Sequence, residues 1–158
     1  MSLGTRGVVV CGCLLLAACS GPVEIDTPDV DADDRAACEG FVDDLPATLS
    51  GEDPVETEPK DPLGAAYGDP AIIVFCGVDV PDDFNETSAC EEANKVGWYA
   101  PPEQYDDQSA DVTIFAVTYR PVVELRLPSD YRPAGLAAAL AELAAPVKRN
   151  LEKVQDCV

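Results

Sequence analysis

The sequence predicts an α+β domain, a two-layer sandwich in which a mainly antiparallel, four-stranded sheet carries an N-terminal and a C-terminal helix on one face. Three observations predict this class. Apolar residues recur at helical spacing near residue 40 and again after residue 134. Short β-prone runs lie between these two segments. One pair of runs has the alternation of an antiparallel hairpin.

The first helix is predicted over residues 34–45. Cys38, Phe41 and Val42 recur at helical spacing, and acidic residues crowd the first turn, where they complement the helix dipole. Pro46 should close the helix, because proline cannot continue it.

Residues 50–70 predict a long polar loop, since the segment is rich in proline and acidic residues. The uninterrupted run 71–76 (AIIVFC) is typical of a short strand buried on both faces. A further strand is predicted over 95–99, which contains the chain's only tryptophan, Trp98.

Segments 112–118 and 122–127 predict a hairpin joined across 119–121. Its second strand alternates between apolar and charged residues, so one face of the sheet should be wet. The apolar set is Val123, Leu125 and Leu127, and the charged set is Glu124 and Arg126.

The C-terminal helix is predicted to start near Pro133 in an alanine-rich segment of high helix propensity. Pro146 should kink it. One stripe of the helix holds the apolar residues Leu136, Leu140, Leu143, Val147, Leu151 and Val154.

The N-terminus has the order of parts of a signal peptide, with Arg6 followed by an apolar run over 8–18. That run is too short to cross a membrane, which takes roughly 20 residues. Leu16-Ala17-Ala18-Cys19 has the form of a lipobox. We therefore expect residues 1–18 to be removed, and Cys19 to carry lipid that anchors the protein at the extracytoplasmic face of the cell membrane.

Residues 19–33 are predicted to be a lipidated, flexible acidic tether, because they hold too little apolar content to pack. Residues 34–158 should then form a single domain. Loss of the signal peptide removes one cation and changes the net charge of the chain from −20 to −21. Such acidity repels nucleic acid, which we do not expect as a partner.

Four of the seven cysteines remain once Cys11 and Cys13 leave with the signal peptide and Cys19 is lipidated. An even set in an exported protein predicts two disulfides, for which three connectivities are possible. The scattered spacing and the absence of histidine argue against a metal site. The four are Cys38, Cys76, Cys90 and Cys157.

No histidine-based triad, nucleotide-binding loop or other cofactor motif occurs in the sequence, so we predict no cofactor and no nucleotide. Carboxylates are the one catalytic device that the composition supplies. The sequence offers one candidate binding surface, in which Glu103 lies near three aromatic residues that could form a sugar platform. A lone tryptophan at a strand end, however, more often packs in the core. The candidate residues are Trp98, Tyr99, Glu103 and Tyr105.

The pattern resembles the actinobacterial lipoproteins classed as domain of unknown function 3515. The shared features are the lipobox at 16–19, the early helix with Cys38, AYGDP at 66–70 running into FCGV at 75–78, Trp98, the hairpin ending at Leu127-Pro128, Tyr131, Pro133 and the final helix. The resemblance implies an actinobacterial envelope protein with a Cys38–Cys76 disulfide and no assigned activity. Cys90 and Cys157 are additions to the usual pattern, and we expect them to bond to each other.

We therefore expect a lipid-anchored extracytoplasmic protein whose domain is a non-catalytic binding or envelope-assembly module. Its partner would be an envelope protein or a wall component. Two alternatives remain open. One is a carboxylate-based cell-wall glycan hydrolase centred on Glu103 and Trp98, and the other is a surface protein that binds cations weakly through its acidic loops.

Overall fold

The computed structural model describes residues 21–85, 87–132 and 134–157. It shows a mixed domain with three α-helices and a five-stranded antiparallel sheet. The predicted signal peptide and the predicted lipidation site, Cys19, lie outside the described residues.

The helices are α1 (Ala32–Asp43), α2 (Pro102–Asp106) and α3 (Ala134–Asn150), and a 3₁₀ turn spans Ser129–Tyr131. In chain order the strands are β1 (Val23–Glu24), β2 (Pro54–Val55), β3 (Thr57–Glu58), β4 (Gly64–Tyr67), β5 (Ile72–Val78), β6 (Glu91–Ala93), β7 (Val96–Trp98), β8 (Val112–Phe115), β9 (Tyr119–Arg120), β10 (Val122–Leu127) and β11 (Glu152–Lys153).

The main sheet has the order β2-β4-β5-β10-β8. The predicted hairpin is confirmed, since β8 and β10 pair antiparallel with Leu125 opposite Ile114. On its other side β10 pairs with β5, and Leu125 lies opposite Val74. Three two-stranded sheets, β1-β3, β6-β7 and β9-β11, lie outside this sheet, and of these only β1-β3 is parallel.

The sheet has five strands where four were predicted. Strands β2 and β4 form inside the segment predicted as a polar loop, and the strand predicted over 95–99 forms as β7 outside this sheet, paired with β6. Small residues make β4 possible. A Cβ added at Gly64 would lie 2.3 Å from the carbonyl oxygen of Val74, so only glycine allows this close approach to β5. A sequence pattern that looks for large β-branched residues does not detect such a strand.

Helix α1 begins at a capped end and stops three residues before Pro46, close to its predicted bounds. The Asp31 carboxylate accepts hydrogen bonds from the amides of Asp33 and Asp34, each at 2.9 Å. This cap satisfies two of the amides that a helix N-terminus leaves without partners.

Helix α3 runs through Pro146, and its buried face carries Leu136, Leu140, Leu143 and Val147 of the predicted stripe. The predicted stripe is wrong at its end. The chain leaves the helix after Asn150, because β11 pairs with β9, and Val154 is 48% exposed.

Alternate residues of the sheet enter two separate buried clusters. Val74, Val123 and Leu125 join the side chains of α1 and α3 in the main core. Phe75 belongs to a second, smaller cluster with Ala66 and Ile25. The second face of the sheet, which was expected to be wet, is therefore partly covered and partly exposed.

The cover comes from the segment predicted as a flexible tether. Ile25 is only 4% exposed. Its neighbours Val23 and Glu24 form β1, which pairs in parallel with β3. Because β1 contributes backbone hydrogen bonds and Ile25 is buried against the sheet, residues 23–31 are part of the folded domain.

Candidate functional site

The predicted aromatic platform does not lie on the surface. Trp98 ends β7 and is fully buried in the main core. The prediction that Trp98 packs inside the domain is confirmed, and its use as a sugar platform is wrong, because none of its surface is available to a ligand.

Tyr99 is also buried, at 4% exposure. Its hydroxyl donates a hydrogen bond of 2.8 Å to Asp83, and its ring meets Phe84 edge to face at 5.1 Å. Burial, the bond to Asp83 and the negative charges of Asp83 and Glu103 raise the pKa of Tyr99 to about 12. The hydroxyl is therefore a protonated donor at neutral pH, and it ties the loop that carries Asp83 to the end of β7.

The two other residues of the predicted surface, Glu103 and Tyr105, belong to α2. Glu103 is exposed, and Tyr105 is half-buried against the main core. Burial raises the pKa of Tyr105. Of the four residues grouped by sequence, only Glu103 is freely exposed, so they form no common binding surface.

The four cysteines form two disulfides, as predicted. Cys38–Cys76, here the first disulfide, joins α1 to β5 with a Cα–Cα distance of 5.4 Å, and both residues are fully buried. Cys90–Cys157, the second disulfide, joins the loop before β6 to the C-terminal tail with a Cα–Cα distance of 5.8 Å, and it is half-exposed.

Glycine leaves room for the second disulfide. A Cβ added at Gly97 would lie 2.7 Å from the sulfur of Cys157 and 3.3 Å from that of Cys90. The amide of Gly97 also donates to the hydroxyl of Thr118 at 2.8 Å. The disulfide thus holds the tail against β7, next to the bonded amide of Gly97.

One charged pair occupies the second face of the sheet. Glu124 is 7% exposed and accepts a hydrogen bond from Arg126 at 2.5 Å. The guanidinium of Arg126 lies 4.7 Å above the ring of Phe75, which is cation–π geometry. The guanidinium of Arg126 covers the ring of Phe75, and its positive charge is paired with the carboxylate of Glu124. The pair therefore has a structural role.

A groove of about 380 Å³ lies between α1 and the segment that holds β2, β3 and β4. Its floor includes apolar residues of the sheet, among them Val55, Leu63 and Ala66. Sequence reasoning missed this groove because it treated residues 50–70 as an unstructured loop, and a loop forms no wall.

The charges along this groove are of both signs. Arg35 and Lys60 line it, together with Glu39, Asp43 and Asp61. Among the described residues, three basic side chains take part in no ion pair or hydrogen bond, and two of them are Arg35 and Lys60. An anionic group entering the groove would meet cations that have no competing internal partner.

In the described parts of the chain, no three or more His, Cys, Asp or Glu side chains are grouped to hold a metal ion. Within the same ranges, no helix has the length and apolar character that spanning a bilayer requires.

The fold and these features define a small α+β domain closed by two disulfides and carrying a groove of mixed charge. A protein-family model described as "Protein of unknown function (DUF3515)" matches residues 5–155, and the chain belongs to this family. The match confirms the resemblance drawn from the sequence. No curated protein and no solved structure matches the chain significantly.

Proposed function

We propose that the protein is an exported lipoprotein, held at the extracytoplasmic face of the cell membrane through Cys19. Its domain would be a non-catalytic binding or envelope-assembly module. In this proposal the domain has two layers, with α1 and α3 covering one face of the sheet and the N-terminal segment covering the other.

The two disulfides carry the proposal of an extracytoplasmic location. Disulfides form and persist in oxidising compartments and are rare in the cytosol. Here they close separations of 38 and 67 residues, so each constrains a large part of the chain. The lipobox at residues 16–19 supports lipidation independently, since it places a cysteine directly after a short apolar run.

The groove beside α1 supports the proposal of a binding role. It combines apolar lining residues with two basic and three acidic side chains. The basic ones are Arg35 and Lys60, and the acidic ones are Glu39, Asp43 and Asp61. This mixture suits an extended segment of an envelope protein that carries both acidic and basic groups, because such a segment can pair with both signs.

Metabolic labelling with an alkyne-bearing fatty acid in the native host tests the location. We expect the wild type to be labelled and to sediment with membranes, and Cys19→Ala to lose both properties. Cys13→Ala is the matched control, because Cys13 lies within the predicted signal peptide and should leave labelling unchanged. Equal labelling of Cys19→Ala and the wild type would exclude the proposed anchor.

Site-specific photo-crosslinking tests the groove. A photoreactive residue in place of Asp43, which is exposed and lines the groove, should give one reproducible adduct with an envelope protein. Arg35→Gln with Lys60→Gln should weaken that adduct. Lys95→Asn is the control, because Lys95 also lacks a partner but lies on the β6–β7 turn at a φ of 70°, which asparagine tolerates. An adduct that is insensitive to the groove changes would contradict the binding role.

A further inference from the structure

The segment that follows the proposed lipid site is bound to the domain at several points. The amide of Val23 donates to the carbonyl of Glu56 at 2.8 Å, and the amide of Ile25 donates to that of Glu58 at 3.0 Å. These bonds dock the segment on β3 as an added parallel strand. The side chain of Ile25 then enters the cluster under the second face of the sheet.

The contact continues from Ile25 to the first helix. A Cβ added at Gly77 would lie 2.6 Å from Val30 and 3.7 Å from Pro28, so both residues pack against the end of β5. Asp31 then caps α1. Residues 23–31 therefore form a continuous strap, fixed at its start by β1 and Ile25, further along by Pro28 and Val30, and at its end by the helix cap.

The docked strap shortens the reach from Cys19 to the domain. Four residue steps separate Cys19 from Val23, and an extended chain covers at most about 14 Å in that number. If the strap were free, the first fixed residue would be Asp31, twelve steps away, and the reach would be about 43 Å. Docking removes about two thirds of the available length.

We propose that the strap is a rigid mount that holds the β1–β3 edge of the domain next to the lipid surface, an inference that rests on the proposed lipidation of Cys19. The partner of this edge is the bilayer itself. The edge carries Glu24, Glu56 and Glu58, all exposed. Their repulsion from anionic headgroups is screened beyond about 8 Å at physiological salt. The repulsion therefore keeps this edge a short distance from the headgroups, and the lipid on Cys19 keeps the domain attached.

The mount has a consequence for binding. A domain attached through a flexible linker samples all orientations, whereas a domain held by the docked strap keeps one end next to the bilayer. Thr57 of β3 and Lys60, two residues after β3, both line the groove, so the groove adjoins the membrane-proximal edge. A partner that uses the groove is then a protein whose binding segment also lies near the membrane surface.

Energy transfer from Trp98 to dansyl-labelled headgroups tests the mount, because Trp98 is the chain's only tryptophan. The chain starting at Cys19 is coupled through that residue to maleimide-bearing lipid in vesicles, since its other cysteines are in disulfides. We expect efficient transfer in the wild type and a fall of about half or more in Ile25→Asp, as the reach grows roughly three-fold. Asp26→Asn, an exposed neighbour, should leave transfer unchanged.

Equal transfer in the wild type and Ile25→Asp would overturn the mount, provided that both proteins retain the circular dichroism of the folded domain. Hydrogen exchange on the wild type gives a second measurement that needs no variant. The amides of Val23 and Ile25 should exchange slowly and that of Asp26, which donates no hydrogen bond among the described residues, should exchange fast. Fast exchange at Val23 and Ile25 would also refute the mount. A natural chain without lipid on Cys19 would instead refute the proposed location alone, because the synthetic lipid supplies the anchor here.

Discussion

Removal of the first disulfide should cost the domain a large part of its stability. Cys38 and Cys76 are fully buried and 38 residues apart, and their bond joins α1 to the central strand β5. Loop-closure entropy for a loop of this size gives about 4 kcal/mol. Because domains of this size have a total stability of about 5 to 15 kcal/mol, the loss amounts to a quarter or more of the total.

Urea unfolding followed by Trp98 fluorescence measures this effect, since Trp98 is fully buried in the folded state. In Cys38→Ala with Cys76→Ala, the midpoint should fall. The denaturant dependence of the unfolding free energy should rise, because the unfolded chain expands once the link is gone. Alanine is chosen over serine to avoid burying an unpaired hydroxyl. A loss below about 1 kcal/mol with an unchanged slope would refute the argument from the unfolded state.

Three further predictions concern accessibility, packing and pH. Limited treatment with a phosphine reductant, followed by alkylation and mass spectrometry, should open the half-exposed second disulfide before the buried first one; the reverse order would contradict the burial of the core pair. Gly64→Ala should destabilise by about 1 to 3 kcal/mol or more in thermal unfolding, because its Cβ would lie 2.3 Å from the Val74 carbonyl, whereas Gly21→Ala, with open space around it, should be neutral. Hydrogen bonds from Arg149 and Asn150 lower the pKa of Asp44, so its contribution to stability is complete above the ordinary aspartate pKa of about 4 and is lost as the pH falls through the lowered value. Asp44→Asn should flatten the acid limb of a stability–pH curve, and an unchanged limb would exclude this coupling.

Periodicity predicted the elements with a strong and regular pattern. The alternation along 122–127 identified β10, and the leucine stripe identified α3. Both elements bury large side chains against the core, and burial is what produces a readable period. The two disulfides were predicted from cysteine number, compartment and family resemblance, none of which depends on knowing the fold.

The elements that were missed depend on tertiary contacts with little local signal. Strand β4 begins with Gly64, Ala65 and Ala66. These small residues let β4 approach β5 closely, but they have low β propensity, so the sequence does not indicate a strand. Strand β7 was predicted over 95–99, but its partner β6 was missed, because the hairpin turns at Asn94 and Lys95 with φ values of 50° and 70°, a turn that the sequence indicates only weakly without glycine. The strap contains one buried apolar residue among acids and prolines, a composition that by itself is typical of a linker.

The candidate site shows the same division. Trp98 was grouped with its neighbours in sequence, but Trp98 and Tyr99 are both buried and only Glu103 is exposed, so proximity in the chain gave no common surface. The groove combines Arg35 on α1 with Lys60 after β3. Its two walls are 25 residues apart in the chain, and only the unexpected docking of β2 and β4 brings them together.

The most direct test of a lipid-anchored, oxidised, extracytoplasmic domain is non-reducing peptide mapping of the protein isolated from its native membranes. The account predicts that the first peptide begins at Cys19 and carries the mass of the lipid. It also predicts one linked peptide pair for Cys38–Cys76 and one for Cys90–Cys157. An unmodified N-terminal peptide that still contains residues 1–18, together with four free thiols, would contradict the account.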